Sequence, residues 1–345
     1  MKTTAAILVQ QRQPLELAEV ALPPLGYGQV LVEVKTTRIC GSQLGEIDGV
    51  KGADRYLPHL LGHEAGGIVL EIGPEVSHVK PGDHVVLHWR PGRGMQAKPA
   101  IYDWNGRKVN AGYITTFQQF TIVSENRLTP IPKKIDFEMA SLLADTLTTG
   151  FGVITRDAKV EVGESVVIIG CGGIGLGAVL GASLAGAHPL VAVDIHENKL
   201  AAARAHGATH TINSSEVDMA TAVQEILGGP PDVVIDGTGL PAVIETAYRM
   251  TGPRGRCVLF GVMHHEKCIS LHTLPLHFGR ILTGSEGGQS RPETDIPRFV
   301  RMFLDGRFSV EGFVTHRYPL GQINEAIAAM RAGVSLHSMI HFGSP

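Results

Sequence analysis

The sequence predicts a two-domain α/β protein, a β-rich, barrel-like unit joined to a doubly wound parallel sheet. Three observations carry this. A chain of 345 residues exceeds ordinary single-domain length. To about residue 130, apolar and polar residues alternate with period two between Gly- and Pro-marked turns. After residue 145 the pattern changes to apolar runs separated by Ala-rich helical stretches, the strand–helix–strand succession of a parallel sheet.

In chain order, Gln29-Val-Leu-Val-Glu-Val-Lys35 reads as a half-buried strand, and Gly66-Gly-Ile-Val-Leu70 as another after its glycines. Lys80-Pro-Gly-Asp83 is a turn leading into the apolar run His84-Val-Val86. The second unit opens with a strand at Val166 to Ile169, a helix at Ile174 to Ala187, a strand at Leu190 to Val193 and a helix at Lys199 to His206. Further buried strands follow at Val233 to Ile235, Cys257 to Phe260 and Ile281 to Thr283, five identifiable strands of an expected six-stranded doubly wound sheet. The tail carries helical segments near Ile296 to Leu304 and Ile323 to Ala332, then an apolar stretch around Met339 to Phe342 that returns to the first unit. The expected division is 1–146 with 286–345 for the first domain and 147–285 for the second.

Charge and composition narrow the function. Lys and Arg number 30 against 33 Asp and Glu, so no overall positive field draws the chain to nucleic acid. With 43% hydrophobic and 18% charged residues, a disordered chain is excluded. No segment reads as a signal peptide or membrane span. Cys40, Cys171, Cys257 and Cys268 are too few for a disulfide scaffold in so long a chain, which points to a reducing cytoplasm and to cysteine as ligand or nucleophile.

Gly170-Cys171-Gly172-Gly173-Ile174-Gly175 fits the G-x-G-x-x-G pattern between an apolar run and an Ala/Leu/Gly helix, the context a dinucleotide loop requires. Gly170 allows the tight turn, Gly172 lets the backbone approach a pyrophosphate, and Gly175 lets helix and strand pack closely. Asp194 lies 19 residues beyond Gly175 at the end of the next apolar run, placed to accept both hydroxyls of an adenosine ribose and to repel a 2′-phosphate. Ile195 and His196 follow it rather than Arg, which favours NAD over NADP. Lys199 adds a contact to ribose or phosphate. Cys171 reads as a plain loop residue.

Cys40, His63 and Asp145 supply one thiolate, one imidazole and one carboxylate, a donor set for catalytic zinc with a fourth position open. Taken singly, each has an ordinary explanation: a buried small hydrophobe, a hydrogen-bonded core histidine and a helix cap.

Together the motifs resemble the zinc-dependent medium-chain dehydrogenase/reductase family, the alcohol dehydrogenase type. The resemblance runs nearly end to end, through Cys-Gly-Ser at Cys40 to Ser42, Gly-His-Glu at Gly62 to Glu64, Val-Lys-Pro-Gly-Asp at Val79 to Asp83, Thr-Thr-Gly at Thr148 to Gly150, and the glycine loop. It implies a GroES-like catalytic domain beside a Rossmann domain, with Cys40, His63 and Asp145 holding zinc in the cleft between them. It also implies Glu64 as a close neighbour of the metal, Ser42 as the hydroxyl that relays the alcohol proton, Thr149 beside the cofactor and Trp89 as a wall of the substrate pocket. The activity it implies is hydride transfer between NAD and a secondary alcohol or polyol, giving a ketone or aldehyde. A cytoplasmic homodimer or homotetramer follows by the same analogy. Two rival readings are a zinc-free reductase of the same superfamily and a non-catalytic dinucleotide-binding protein.

Three positions depart from the family's pattern. Gln43 stands where many relatives have an Asp that orients the zinc-ligating His, and Gly45 where several end their proton relay in a His. The stretch from Arg90 to Gly112 lacks the four cysteines of a structural zinc, so one zinc per chain is expected. That stretch sets Arg90, Arg93, Lys98, Arg107 and Lys108 against the single acid Asp103, which leaves two readings open: an anionic substrate, or a solvated lobe.

Overall fold

The computed structural model describes residues 1–343. The chain divides into two compact units, one formed by Met1–Asp145 with the chain from Arg291 onward, the other by Thr146–Ser290.

The first unit is built from two β systems. Strands Lys2–Leu8, Glu16–Ala21, Ile101–Trp104, Arg107–Asn110 and His59–Leu60 close into a small barrel. A seven-stranded sheet runs in the order Leu128–Ile131, His84–His88, Glu64–Ile72, Gln29–Arg38, His337–His341, Val314–Pro319, with Phe120–Ser124 also paired to Gln29–Arg38. The alternation in Gln29–Arg38 sorts its side chains between two cores. Val30, Val32 and Val34 join Ala65, Val69, Val85 and Leu87, while Leu31 joins Ala5, Ile7, Leu60, Tyr102 and Val109. Both faces are therefore covered, and the strand predicted as half-buried is buried along most of its length. The tail returns to this unit as expected, with Met339 pairing antiparallel to Arg38.

The stretch after Trp89 carries Arg93, Lys98, Arg107 and Lys108 exposed at its surface, and part of it is regular structure. Residues 101–104 and 107–110 form a hairpin in the barrel wall with Tyr102 and Val109 in the core. Ahead of it, the buried carboxylate of Glu125 gathers the loops: Oε1 accepts from the backbone N–H of Ser77 (2.6 Å) and His78 (2.9 Å), and Oε2 from that of Met95 (2.7 Å). Burial opposes the charge, but these N–H groups and His78 Nδ1 overcome it and lower the Glu125 pKa to about 2. A folded-state pKa below the unfolded value stabilises the fold above pH ~4.5, and that stability is lost as pH falls from there towards 2. Glu125→Gln is expected to remove on the order of 3 kcal/mol at neutral pH and to flatten the acid limb of a urea-denaturation series run against pH.

The second unit is a six-stranded sheet in the spatial order His210–Asn213, Leu190–Asp194, Val166–Ile169, Val233–Asp236, Arg256–Leu259, Ile281–Gly284. Every pairing is parallel. In order along the chain the strands read 3-2-1-4-5-6, the doubly wound arrangement whose reversal lies between the first and fourth strands. The central strands Val166–Ile169, Leu190–Asp194 and Val233–Asp236 are buried throughout, as a sheet covered on both faces requires. Helices Gly173–Leu184, Glu197–Ala205, Met219–Leu227 and Pro241–Met250 provide the crossovers. The strand His210–Asn213 did not stand out in the sequence because it is a short, polar edge strand. Among the described residues, no helix is long and apolar enough to cross a membrane.

Candidate metal centre and glycine loop

Each side chain of the metal centre sits where a regular element ends. Cys40 directly precedes the helix Gly41–Asp48, and its backbone N–H is held by Oε1 of Gln43 at 2.9 Å, a reciprocal cap that fixes the first turn. His63 precedes the strand Glu64–Ile72 and follows Gly62, whose φ of +91° and close approach to Thr116 and Phe117 exclude a Cβ. Asp145 ends the helix Phe137–Ala144, whose start is capped by the Asp136 side chain on Met139 N–H and whose run from Met139 to Ala144 is buried. It therefore stands between two helices, ending this one and directly preceding the short helix Thr146–Gly152.

The three predicted ligands and Glu64 converge, with one ligating atom of each lying within 4.8 Å of the others. Asp145 Oδ2 lies 3.9 Å from Cys40 Sγ and 3.5 Å from His63 Nε2, and Nε2 lies 3.8 Å from Glu64 Oε1. Burial works against a charged imidazole, yet bonding to Asp145 and Cys40 more than offsets it and raises the His63 pKa well above its ordinary value. The same bonds favour any cation at this point, a proton or a metal ion. Glu64 is fully buried, and although Arg38 Nη2 stands 2.8 Å from Oε1, neither carboxylate oxygen receives a well-aligned hydrogen bond. Burial pushes its pKa up and Arg38 draws it back down. Thiolate, imidazole and carboxylate at this spacing, with under-bonded carboxylate oxygens beside them, fit a zinc ion.

Around these residues the structure places partners that sequence reading had only partly seen. Gln43 Nε2 faces His63 Nδ1 while its Oε1 accepts the Cys40 N–H, so the amide meets the ring with a donor, where a carboxylate would accept. Ser42 Oγ lies 3.5 Å from the same nitrogen on a partly exposed side chain. The Trp89 indole N–H donates to Asp145 Oδ1 at 2.9 Å. Arg38 was not singled out. Its signal was an arginine closing the alternating strand Gln29–Arg38, two residues before Cys40. Of the cations after Trp89, Arg90 lies over the Trp89 ring at 5.5 Å and Arg93 is exposed.

In the second unit the glycine loop connects the strand Val166–Ile169 to the helix Gly173–Leu184. A Cβ on Gly175 would stand 1.8 Å from the Gly170 carbonyl oxygen, so only glycine closes this turn. A Cβ on Gly172 would meet nothing within 4 Å, which leaves its backbone open to a ligand. Gly173 and Ile174 open the helix and turn its first N–H groups towards the loop. Asp194 ends the second strand, with Oδ2 accepting Cys171 N–H at 2.8 Å and Oδ1 accepting Ile195 and His196 N–H at 2.8 and 3.0 Å. Asp194 therefore shapes the loop. Lys199 Nζ stands 3.9 Å from Oδ1. Cys171 is fully buried, and burial raises its thiol pKa, which marks it as packing. Thr149 is buried on the short helix Thr146–Gly152.

Comparison with known proteins agrees with both units. A family profile described as alcohol dehydrogenase GroES-like domain matches residues 26–133, and one described as zinc-binding dehydrogenase matches residues 173–305. The chain is 31% identical to an alcohol dehydrogenase class-3 of Cereibacter sphaeroides, over 99% of this chain and 100% of that protein. The structure of an alcohol dehydrogenase zinc-binding domain protein from Burkholderia ambifaria superposes with a TM-score of 0.91 at 30% identity, covering 100% of both chains. That of a benzyl alcohol dehydrogenase from Acinetobacter calcoaceticus gives 0.89 at 28% identity, covering 99% of this chain and 100% of that one.

Proposed function

The chain belongs to the zinc-dependent medium-chain alcohol dehydrogenase family, and from that premise we propose that it transfers hydride between NAD and a secondary alcohol or polyol, giving a ketone or aldehyde. The observation that carries this reading is the convergence of Cys40, His63 and Asp145 beside an under-bonded, buried Glu64. Cys40 Sγ, His63 Nε2 and Asp145 Oδ2 would hold one zinc ion. When bound, zinc supplies a Lewis acid that lowers the pKa of an alcohol enough for its proton to leave near neutral pH, and NAD supplies the hydride acceptor.

The chain's own groups do the rest. Ser42 Oγ takes up the alcohol proton and passes it on, being the partly exposed hydroxyl beside the cluster. Gln43 stands beside the His63 ring at Nδ1, and Nε2 faces Asp145. Glu64 keeps a negative charge close to the ligands while Arg38 limits it. Trp89 walls the substrate site and restricts its size. In the second unit the open backbone at Gly172 receives the pyrophosphate, and Asp194, with Lys199 beside it, receives the adenosine ribose. Since no cysteine stands between Arg90 and Gly112, one zinc per chain serves the protein without a structural zinc, and Glu125 organises that segment.

Activity is tested by following reduced cofactor with the zinc-loaded protein across secondary alcohols and polyols, using NAD and NADP separately. Turnover with NAD is expected; turnover confined to activated double bonds, without any need for zinc, would favour the zinc-free reductase. Asp194→Asn is expected to raise KM for NAD roughly tenfold or more and to narrow the preference over NADP, because charge-assisted bonds to the ribose are worth about 1.5–3 kcal/mol. An unchanged cofactor preference would remove Asp194 from that role.

A further inference from the structure

The Trp89 side chain does more than bound a pocket. Its indole N–H donates to Oδ1 of Asp145 at 2.9 Å, while Oδ2 of the same carboxylate faces His63 Nε2 at 3.5 Å and Cys40 Sγ at 3.9 Å. The two oxygens are thereby divided, one turned to the indole and one to the ligand cluster. An indole N–H only donates, so it can anchor a carboxylate without competing for a metal ion.

The indole is itself well fixed. His88, fully buried, donates from Nδ1 to the Arg90 carbonyl at 2.8 Å, and its Nε2 accepts from the Thr129 hydroxyl at 2.9 Å. These bonds hold the backbone on both sides of Trp89. The ring packs against the core containing Val85, Leu87 and Leu128, and the Arg90 guanidinium stands over its face at 5.5 Å. A cation on the ring face draws electron density from the indole and strengthens N–H as a donor.

We propose that Trp89 is a positioning residue of the metal centre: its N–H restrains Asp145 so that the single oxygen Oδ2 is presented to the metal, and this restraint sets metal affinity. The proposal rests on the reading that Cys40, His63 and Asp145 hold zinc. A carboxylate free to rotate loses orientational entropy on binding and can offer either or both oxygens, whereas one already anchored has made that choice. Partners of metal ligands characteristically carry roughly 10–100-fold in affinity.

The test is Trp89→Phe, which keeps an aromatic ring in the pocket wall and removes the N–H. Zinc affinity is measured by competition with a chromogenic chelator, the d–d absorption of the cobalt-substituted protein is recorded, and a thermal melt of the metal-free protein verifies folding. The expected result is a zinc dissociation constant raised about tenfold or more, a changed cobalt spectrum, and an unchanged metal-free melt. A Phe variant with wild-type zinc affinity and cobalt spectrum, in an assay where Asp145→Asn loses zinc, would overturn the role of Trp89 and leave the zinc site standing. A wild-type protein that binds no zinc in that assay would overturn the underlying reading, and this proposal with it.

Discussion

Asp145→Asn is expected to lose zinc and, with it, alcohol oxidation, while keeping the fold. The substitution preserves the shape of the side chain and the oxygen that accepts from Trp89, so both units should retain their circular dichroism and their melting behaviour without metal. What it removes is the carboxylate charge facing His63 Nε2 and Cys40 Sγ. Loss of a partner outside the ligand shell already weakens metal binding roughly 10–100-fold, so loss of a ligand's charge should exceed a hundredfold. The chelator competition that reads this also separates it from a cofactor effect, because NADH binding to the glycine loop, followed by fluorescence, should be unchanged. Full zinc affinity in this variant would mean that Asp145 is not a ligand.

The second large effect concerns stability. Arg38 and Glu64 form a fully buried ion pair at 2.8 Å. Of the basic groups nearby, His337 is buried with Nδ1 3.0 Å from the Phe313 carbonyl, and burial together with Arg38 holds its pKa well below the ordinary value, while His63 Nε2 lies 3.8 Å from Glu64 Oε1 and is bonded to Asp145 and Cys40. His337 is therefore neutral and does not replace the guanidinium charge. Arg38→Met should cost about 3–5 kcal/mol, because it leaves the buried Glu64 carboxylate without its nearest cation and with only His63, which Asp145 and Cys40 share, beside it. The double variant Arg38→Met with Glu64→Gln should regain most of that loss, since it removes the stranded charge as well as its partner. Urea denaturation of the metal-free proteins reads both. A single variant within about 1 kcal/mol of wild type would show that the pair carries little of the unit's stability.

Much of the fold was legible because it is written in local pattern. The change from period-two alternation to apolar runs with helical spacers marks the passage from barrel and sheet to a parallel sheet, and the glycine loop locates the first strand of the latter. The strand His210–Asn213 escaped because a polar edge strand lacks the apolar run that identifies its neighbours. Of the metal centre, the ligating residue types and their order could be read, since Cys, His and Asp carry their chemistry wherever they stand. Their surroundings could not. Arg38 and Glu64 are 26 positions apart and Trp89 and Asp145 are 56 apart, and only strand register and helix ends bring them together. Glu125 was missed for the same reason: what it organises lies 30 and 48 residues upstream.

Metal content tests the Cys40, His63 and Asp145 centre most directly, measured by elemental analysis of protein purified without added metal and again after zinc is offered and excess removed. One zinc per chain, retained by the wild type and absent from Asp145→Asn, is the predicted result. No zinc after loading would contradict the Cys40, His63 and Asp145 centre, and two per chain would contradict a single site and the metal-free organisation around Glu125.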